Sequence, residues 1–183
     1  MKKQYINSLT LLVATLGCSF TALAHHGEHD VKGSPDNKEQ IKMIQCQIEM
    51  PAKVKVADKM PLTFTLTNTS GHSVKILKWN TPLEGWFNRY LSVTKDGQHI
   101  NYSGAMVKRF RPSDEDYISL ADGKSEQAIV DLAQGYDMSA SGTYRIVYSG
   151  RLHDLQVLNG DESVAKGPTL HTLHCNELTL IVQ

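Results

Sequence analysis

The sequence has 183 residues, and its 19 lysines and arginines are balanced by 19 aspartates and glutamates. A net charge near zero argues against a nucleic-acid partner held by bulk electrostatics, and the length is that of one ordinary domain with a real core. No Walker loop, dinucleotide-binding glycine pattern or Gly-x-Ser-x-Gly elbow occurs, so nucleotide-binding and serine-hydrolase classes are not indicated.

The first 24 residues have the pattern of a signal peptide. Lys2 and Lys3 form a short basic start, an apolar run follows, and Ala22–Ala24 supplies the small-x-small motif of a cleavage site. The apolar run is too short to predict a membrane span. We therefore predict cleavage after Ala24, a periplasmic or secreted protein, and no stable membrane insertion of the mature chain. Lipid attachment at Cys18 is the alternative, although the residues before it fit that signal poorly.

Residues 25–39 are polar and lack apolar periodicity, which predicts a flexible arm. The arm contains His25, His26 and His29, and a histidine at a free N-terminus can bind copper or zinc through its amine and its ring. These three histidines are therefore a candidate metal site. The competing interpretation is an incidental histidine-rich tract, because such tracts are signals of composition only.

From residue 40 to residue 183 the chain has the apolar–polar alternation of β-strands. Leu62, Phe64 and Leu66 alternate with threonines, and Asp96-Gly97 separates two alternating runs as in a tight hairpin. The pattern predicts about eight short strands in an immunoglobulin-like antiparallel β-sandwich, with a closed barrel as the alternative. The weakly patterned segment Leu152–Thr169 is predicted to be a long loop.

Two cysteines, Cys46 and Cys175, remain once the signal peptide is removed. Cysteine pairs in exported proteins usually form a disulfide, so we predict a bridge that ties the first strand of the domain to its last strand. Two separate buried thiols are the alternative. His171 and His174 precede Cys175, but their odd spacing on a strand would place them on opposite faces, so we do not predict a zinc site there.

No catalytic constellation is recognisable in the chain. The H-E-x-x-H motif of zinc peptidases is absent, and no local motif fixes a serine or cysteine nucleophile. We therefore predict a protein that is not an enzyme and needs no catalytic cofactor. An unrecognised hydrolase is the lesser alternative.

Two segments have the residue types of a protein-binding surface. Trp86 and Phe87 follow a Pro- and Gly-containing turn, where they either close the end of the sandwich or form a contact patch. Lys108, Arg109 and Arg111 alternate with apolar residues in a second segment, which suits docking through arginine and an aromatic anchor. The competing interpretation of the second segment is a solvated loop neutralised by the acidic residues after it.

Several strings, read in order, carry a resemblance to a known family: Phe64–Thr69, Leu77–Gly85, Met106–Arg109, Glu115–Tyr117, Tyr136–Ser139 and Gly142–Tyr144. They resemble the N-terminal β-sandwich region of bacterial deuterolysin-like, peptidyl-Lys-type zinc metalloendopeptidases. In that family the zinc ligands and the catalytic glutamate lie in a separate C-terminal domain, so the resemblance transfers no catalytic residue to this chain. A weaker likeness to small immunoglobulin-like proteinase inhibitors covers only residues 64–76, without the inhibitor loop motif of the chagasin type.

The resemblance implies a module suited to packing beside a peptidase domain. We therefore expect an exported, non-catalytic binding module whose partner is a protein, namely a secreted peptidase that the module inhibits or escorts. Metal binding by His25, His26 and His29 is the alternative function.

Overall fold

The computed structural model describes residues 43–159, 162–163 and 170–183. The predicted signal peptide (1–24), the predicted arm (25–39) with its three histidines, Cys18, and the start of the domain at residue 40 lie outside the described residues. They stay predictions. Within the described part of the chain, no helix has the length and apolar character that crossing a membrane requires.

The described residues form short β-strands joined by turns. In chain order the strands are β1 (Ile44–Glu49), β2 (Lys53–Val54), β3 (Pro61–Asn68), β4 (Ser73–Leu77), β5 (Leu91–Lys95), β6 (Gln98–Ile100), β7 (Tyr117–Leu120), β8 (Ser125–Asp131), β9 (Gly142–Tyr148), β10 (Arg151–Leu152), β11 (Leu155–Asn159), β12 (Glu162–Ser163), β13 (His171–Thr172) and β14 (Leu178–Val182). Single 3-10 turns occur at Pro82–Glu84, Asp114–Asp116 and Leu132–Gln134. The structure has 14 described strands, against about eight predicted. Four of the additional strands, β2, β10, β12 and β13, have two residues each, too few to show alternation, and β11 lies in the segment predicted to be a loop.

The strands assemble into an all-β sandwich, as predicted. Three larger sheets have the orders β1-β3-β8, β12-β11-β4-β7 and β2-β14-β9-β5-β6, and β10 pairs with β13. Every pairing is antiparallel except that of β2 with β14. Each of these sheets is open, with separate edge strands, so the closed-barrel alternative is wrong for the described residues.

One hydrophobic core unites the three larger sheets. Along β3, Leu62, Phe64 and Leu66 are fully buried while the intervening threonines face outward, which is the predicted alternation. Phe64 stacks on Tyr148 of β9 with ring centroids 5.3 Å apart, and this contact joins the three-stranded sheet to the five-stranded one. Such aromatic pairs contribute both buried area and a preferred ring geometry.

The predicted hairpin at Asp96-Gly97 is confirmed. The two residues have φ values of 48° and 83°, and they connect β5 to β6 through a two-residue turn. Both positions need positive φ, which Gly adopts freely and Asp tolerates.

The predicted disulfide between Cys46 and Cys175 is also confirmed. Cys46 lies in β1, as expected, but Cys175 precedes β14 and is not part of the last strand. The neighbouring Asn176 explains how this irregular segment is held: its side chain accepts a hydrogen bond from the Ile48 amide and donates one to the Ile48 carbonyl, both at 2.9 Å. An asparagine amide thus replaces a strand partner beside the bridge.

The prediction of a long loop over Leu152–Thr169 is wrong for its described part. β11 lies in this segment and pairs with β4, with Leu155 opposite Ile76 and Val157 opposite Val74. The alternation here is short, so it is a weak signal in sequence, but the exposed edge of β4 offers the backbone hydrogen bonds that complete it.

Candidate functional site

The turn before Trp86 is fixed by local hydrogen bonds. The Thr81 hydroxyl donates to the Lys78 carbonyl (2.6 Å) and accepts from the Leu83 amide (3.2 Å), which caps the 3-10 turn that starts at Pro82. Gly85 then adopts a φ of 86°, a conformation that residues with a Cβ rarely take. The two following aromatic residues have different environments: Trp86 packs on Tyr90, and Phe87 is exposed.

Trp86 closes the end of the sandwich. Its ring stacks on Tyr90 at 4.8 Å and meets the edge of Tyr136 at 6.0 Å, and its Nε1 donates to the Asp131 carbonyl at 2.9 Å. A half-buried indole whose N–H is hydrogen-bonded contributes to the stability of the fold. Its predicted contact with a partner stays a prediction, and any such contact would use only the remaining exposed edge.

Phe87 and Arg109 lie together on the surface. Phe87 is 43% exposed, and the Arg109 guanidinium lies 5.5 Å from the ring centroids of both Phe87 and Trp79. Arg109 Nη2 also forms an ion pair with Glu84 Oε2 at 2.7 Å, and the Glu84 side chain is only 8% exposed. Two rings and one carboxylate therefore hold this guanidinium in one orientation.

The chain between β6 and β7 is irregular but anchored in its middle and at its second end. In the middle, the Val107 amide donates to the Phe87 carbonyl at 3.0 Å. At the second end, Trp79 Nε1 donates to Asp116 Oδ1 at 2.9 Å, and Asp116 also accepts from Ser113. The Ser113 backbone amide and Trp79 lower the pKa of Asp116, so its carboxylate stays ionised.

On both sides of Val107, several side chains face the solvent. Phe110 is 90% exposed and Met106 is 72% exposed, and Lys108 and Arg111 are exposed beside them. We call this set, together with Trp79, Glu84, Phe87 and Arg109, the aromatic–arginine surface. It includes Phe87, Lys108, Arg109 and Arg111 of the predicted partner-binding residues, whereas Trp86 packs against Tyr90 and Tyr136 instead.

The acidic residues after this segment are mostly engaged elsewhere. Asp114 forms an ion pair with Lys75 at 2.7 Å, and Asp116 is bonded to Trp79 and Ser113. Arg109 pairs instead with Glu84. Among the described residues Lys108 and Arg111 make no ion pair, while Arg109 also acts electrostatically on Asp116. Both interpretations of this segment stay predictions.

Within the described ranges, no group of three or more His, Cys, Asp or Glu residues could hold a metal ion. His171 is buried and His174 is exposed, in agreement with the expectation that they face opposite ways. The histidines of the predicted metal site, His25, His26 and His29, are not among the described residues, so that site stays a prediction.

A buried polar cluster lies around Asp154. Asp154 and His171 are 5% and 4% exposed. Asp154 Oδ2 accepts hydrogen bonds from the Tyr117 hydroxyl and from Gln156 Nε2, both at 2.8 Å. Burial lowers the pKa of His171, and the nearby Asp154 opposes this effect without reversing it.

We expect acidification to destabilise the fold through His171. Its pKa is lower in the folded than in the unfolded protein, so the unfolded state binds more protons. This contribution to stability is present above the unfolded pKa of about 6.5 and is lost as the pH falls below it. Urea unfolding of the wild type and of His171→Gln between pH 7.5 and 5 should show a shallower pH dependence in the variant. His153→Gln, measured separately, isolates a second histidine whose pKa is also lowered by burial. Equal slopes for the wild type and His171→Gln would contradict the assignment.

Comparison with known proteins relates part of this chain to proteases. An extracellular protease of Aeromonas hydrophila is 36% identical over 126 residues, or 68% of this chain and 34% of the relative. A neutral protease 2 homolog of Uncinocarpus reesii is 36% identical over 89 residues, 46% of this chain and 24% of the relative. The probable neutral protease 2 homolog A of Trichophyton rubrum is 32% identical over 122 residues, 64% of this chain and 32% of the relative. The chain contains a protease-related region.

The predicted resemblance to a peptidase family is thereby confirmed for this protease-related region. The chain spans about a third or less of the length of these relatives. No protein-family model matches the sequence. A solved CARDB domain of PF1109 from Pyrococcus furiosus is 13% identical and covers 76% of this chain and 94% of that one, but its TM-score of 0.34 is too low to inform fold or function.

Sequence reasoning missed Trp79, Glu84 and Phe110 as members of the aromatic–arginine surface. Trp79 and Glu84 lie within Leu77–Gly85, one of the strings that carry the resemblance, and this was the available signal. Their contact with Arg109 crosses at least 25 residues of chain, so no local pattern could reveal it.

Proposed function

We propose that this chain is an exported, non-catalytic module whose protease-related region binds a protein, and that the partner is a secreted peptidase that it inhibits or escorts. The observation that carries the proposal is the aromatic–arginine surface. It presents exposed aromatic and apolar side chains next to cations, on a domain related in sequence to part of secreted proteases.

The composition of the surface suits a binding hot spot. Aromatic residues and arginine dominate hot spots because they bury a large area and donate several hydrogen bonds. Phe110 is 90% exposed, a large apolar side chain that gains the full benefit of burial only when a partner covers it.

The preorganisation of Arg109 adds to the capacity of this surface to bind a partner. Arg109 is already held by Glu84 and by two rings, so binding orders less of its side chain than it would for a free arginine. Lys108 and Arg111, which have no ion pair among the described residues, favour a partner surface that is acidic around an apolar groove.

Replacing residues of this surface is expected to weaken peptidase binding. Phe110→Ala and Arg109→Ala should each raise the dissociation constant by about tenfold or more, equivalent to about 1.4 kcal/mol. The measurement is surface plasmon resonance of the purified protein against a panel of secreted metallopeptidases that includes relatives of the neutral proteases. Ile181→Ala and Arg145→Ala, on β14 and β9, are matched controls with an exposed apolar residue and an exposed, paired arginine.

Two outcomes would reject this proposal. One is a panel in which no peptidase binds with micromolar affinity, and the other is unchanged binding by both Phe110→Ala and Arg109→Ala. Peptidase activity measured with and without the protein separates inhibition from escort. Hydrolysis of casein by the purified protein alone would contradict the non-catalytic part of the proposal.

A further inference from the structure

A second surface feature is a pocket of about 290 Å³. Its lining includes Asn80, Asn88, Arg89, Arg151, His153 and Leu170. It shares no lining residue with the aromatic–arginine surface, so the two can be tested independently.

The floor of the pocket is rigidly built. The amides of Ser149 and Gly150 both donate to the Tyr90 carbonyl, at 2.9 Å and 3.1 Å. A Cβ on Gly150 would lie 2.5 Å from the Tyr148 hydroxyl and 3.0 Å from the Asn80 carbonyl, so the close approach of these segments requires glycine. A hydrogen bond fixes one wall of the pocket, because the Asn88 side-chain amide donates to the Asn80 side chain.

The ionisable side chains among the described residues of the pocket lining are all basic. Among the described residues, Arg89 and Arg151 make no ion pair and no carboxylate lines the pocket. Glu84 influences His153 electrostatically, but its two oxygens are engaged by Arg109 and by the Asn80 amide. Two arginines and a histidine thus line one concave space, and none of the described residues that line it is acidic.

We propose that this pocket binds an oxoanion group, a carboxylate or a phosphate, with Arg89 and Arg151 as its principal ligands. Guanidinium groups match the planar and tetrahedral oxygens of such anions and donate two parallel hydrogen bonds to them. The Asn88 and Asn80 amides and the Ser149 hydroxyl supply neutral polar contacts around the anion. Leu170, 47% exposed at the rim, gives an apolar contact to a group attached to the anion.

Two sources of this chemistry can be separated by the choice of probe. One is a free phosphate ion, and the other is the carboxyl terminus of a peptide, whose last side chain would contact Leu170. The probes are inorganic phosphate, an acetylated tripeptide that ends in leucine, and the same tripeptide with a C-terminal amide. Phosphate binding alone indicates a free anion, and preference for the acid peptide over its amide indicates a peptide terminus.

Calorimetry with these probes tests the assignment. We expect saturable binding of phosphate or of the acid peptide, weakened about tenfold or more in Arg89→Gln and in Arg151→Gln. Arg145→Gln, which removes an exposed arginine paired with Glu177, is the matched control and should bind as the wild type does. Phe110→Ala should also leave anion binding unchanged.

A second measurement does not depend on the variants. Burial and the charge of Arg151 lower the pKa of His153, and a bound anion would raise it. An NMR titration of the wild type should therefore show an upward shift of the His153 pKa when phosphate or the acid peptide is added. No saturable binding below about 10 mM, unchanged binding in both arginine variants, or an unmoved His153 pKa at a saturating concentration would overturn the proposal.

Discussion

Opening the Cys46–Cys175 disulfide is expected to lower the free energy of unfolding by about 4 to 5 kcal/mol in the chain-entropy model. The bridge closes a loop between residues 129 positions apart, so it removes a large share of the conformational freedom of the unfolded chain. In the folded protein it also holds the segment before β14 against β1, next to the Asn176 contact with Ile48. Urea unfolding of the Cys46→Ala/Cys175→Ala variant against the oxidised wild type measures the effect.

A control separates the crosslink from the packing of the sulfur atoms. Wild-type protein unfolded in the presence of a reductant keeps both sulfurs but loses the covalent bond, so most of the destabilisation should remain. Reduced and oxidised wild type with the same unfolding midpoint would show that the bridge contributes nothing to stability.

Phe64→Ala is expected to cost about 3 to 5 kcal/mol of unfolding free energy. Phe64 is fully buried on β3 and stacks on Tyr148 of β9, so truncation removes a contact between two sheets and leaves a cavity. Phe110→Ala is the same substitution at a side chain that is 90% exposed, and it should change stability by no more than about 0.5 kcal/mol. Guanidinium unfolding of both variants checks the difference, and a similar loss in each would contradict the assigned core.

Alternation was sufficient to predict the central strands. Apolar residues two positions apart predict the buried faces of β3 and β9. The positive φ that a tight turn requires at Asp96-Gly97 predicts the β5–β6 hairpin. These signals are local, because a strand with one buried face and a tight turn each impose their chemistry on neighbouring residues.

The strands and contacts at the edges of the sheets could not be predicted from alternation. β11 exists because β4 leaves hydrogen-bonding groups at its edge, and Asn176 replaces a strand partner of β1 from 128 residues away. Whether a short or irregular segment becomes a strand depends on what lies beside it in space, and a linear pattern does not contain that information.

The candidate site also has features that the sequence predicts and features that only the fold shows. The residue types of Phe87, Arg109 and Arg111 are enough to indicate a contact surface from the sequence alone. Only the fold shows that Arg109 contacts Glu84, Trp79 and Phe87. Only the fold shows, likewise, that Trp86 packs into the end of the sandwich.

The sequence by itself determined the β class and the relationship to peptidases, because alternation and ordered motifs are properties of the linear chain. It predicted the pairing of Cys46 with Cys175 from the cysteine number, and the structure confirmed it. Only the tertiary structure decided which cations are already paired and which lack a partner among the described residues. Arg109 and Arg151 look alike in sequence, but one is held by a carboxylate and two rings while the other lines an uncompensated pocket. The reason is physical: the electrostatic environment of a side chain is set by groups within a few ångströms in space, and in this protein those groups come from distant parts of the chain.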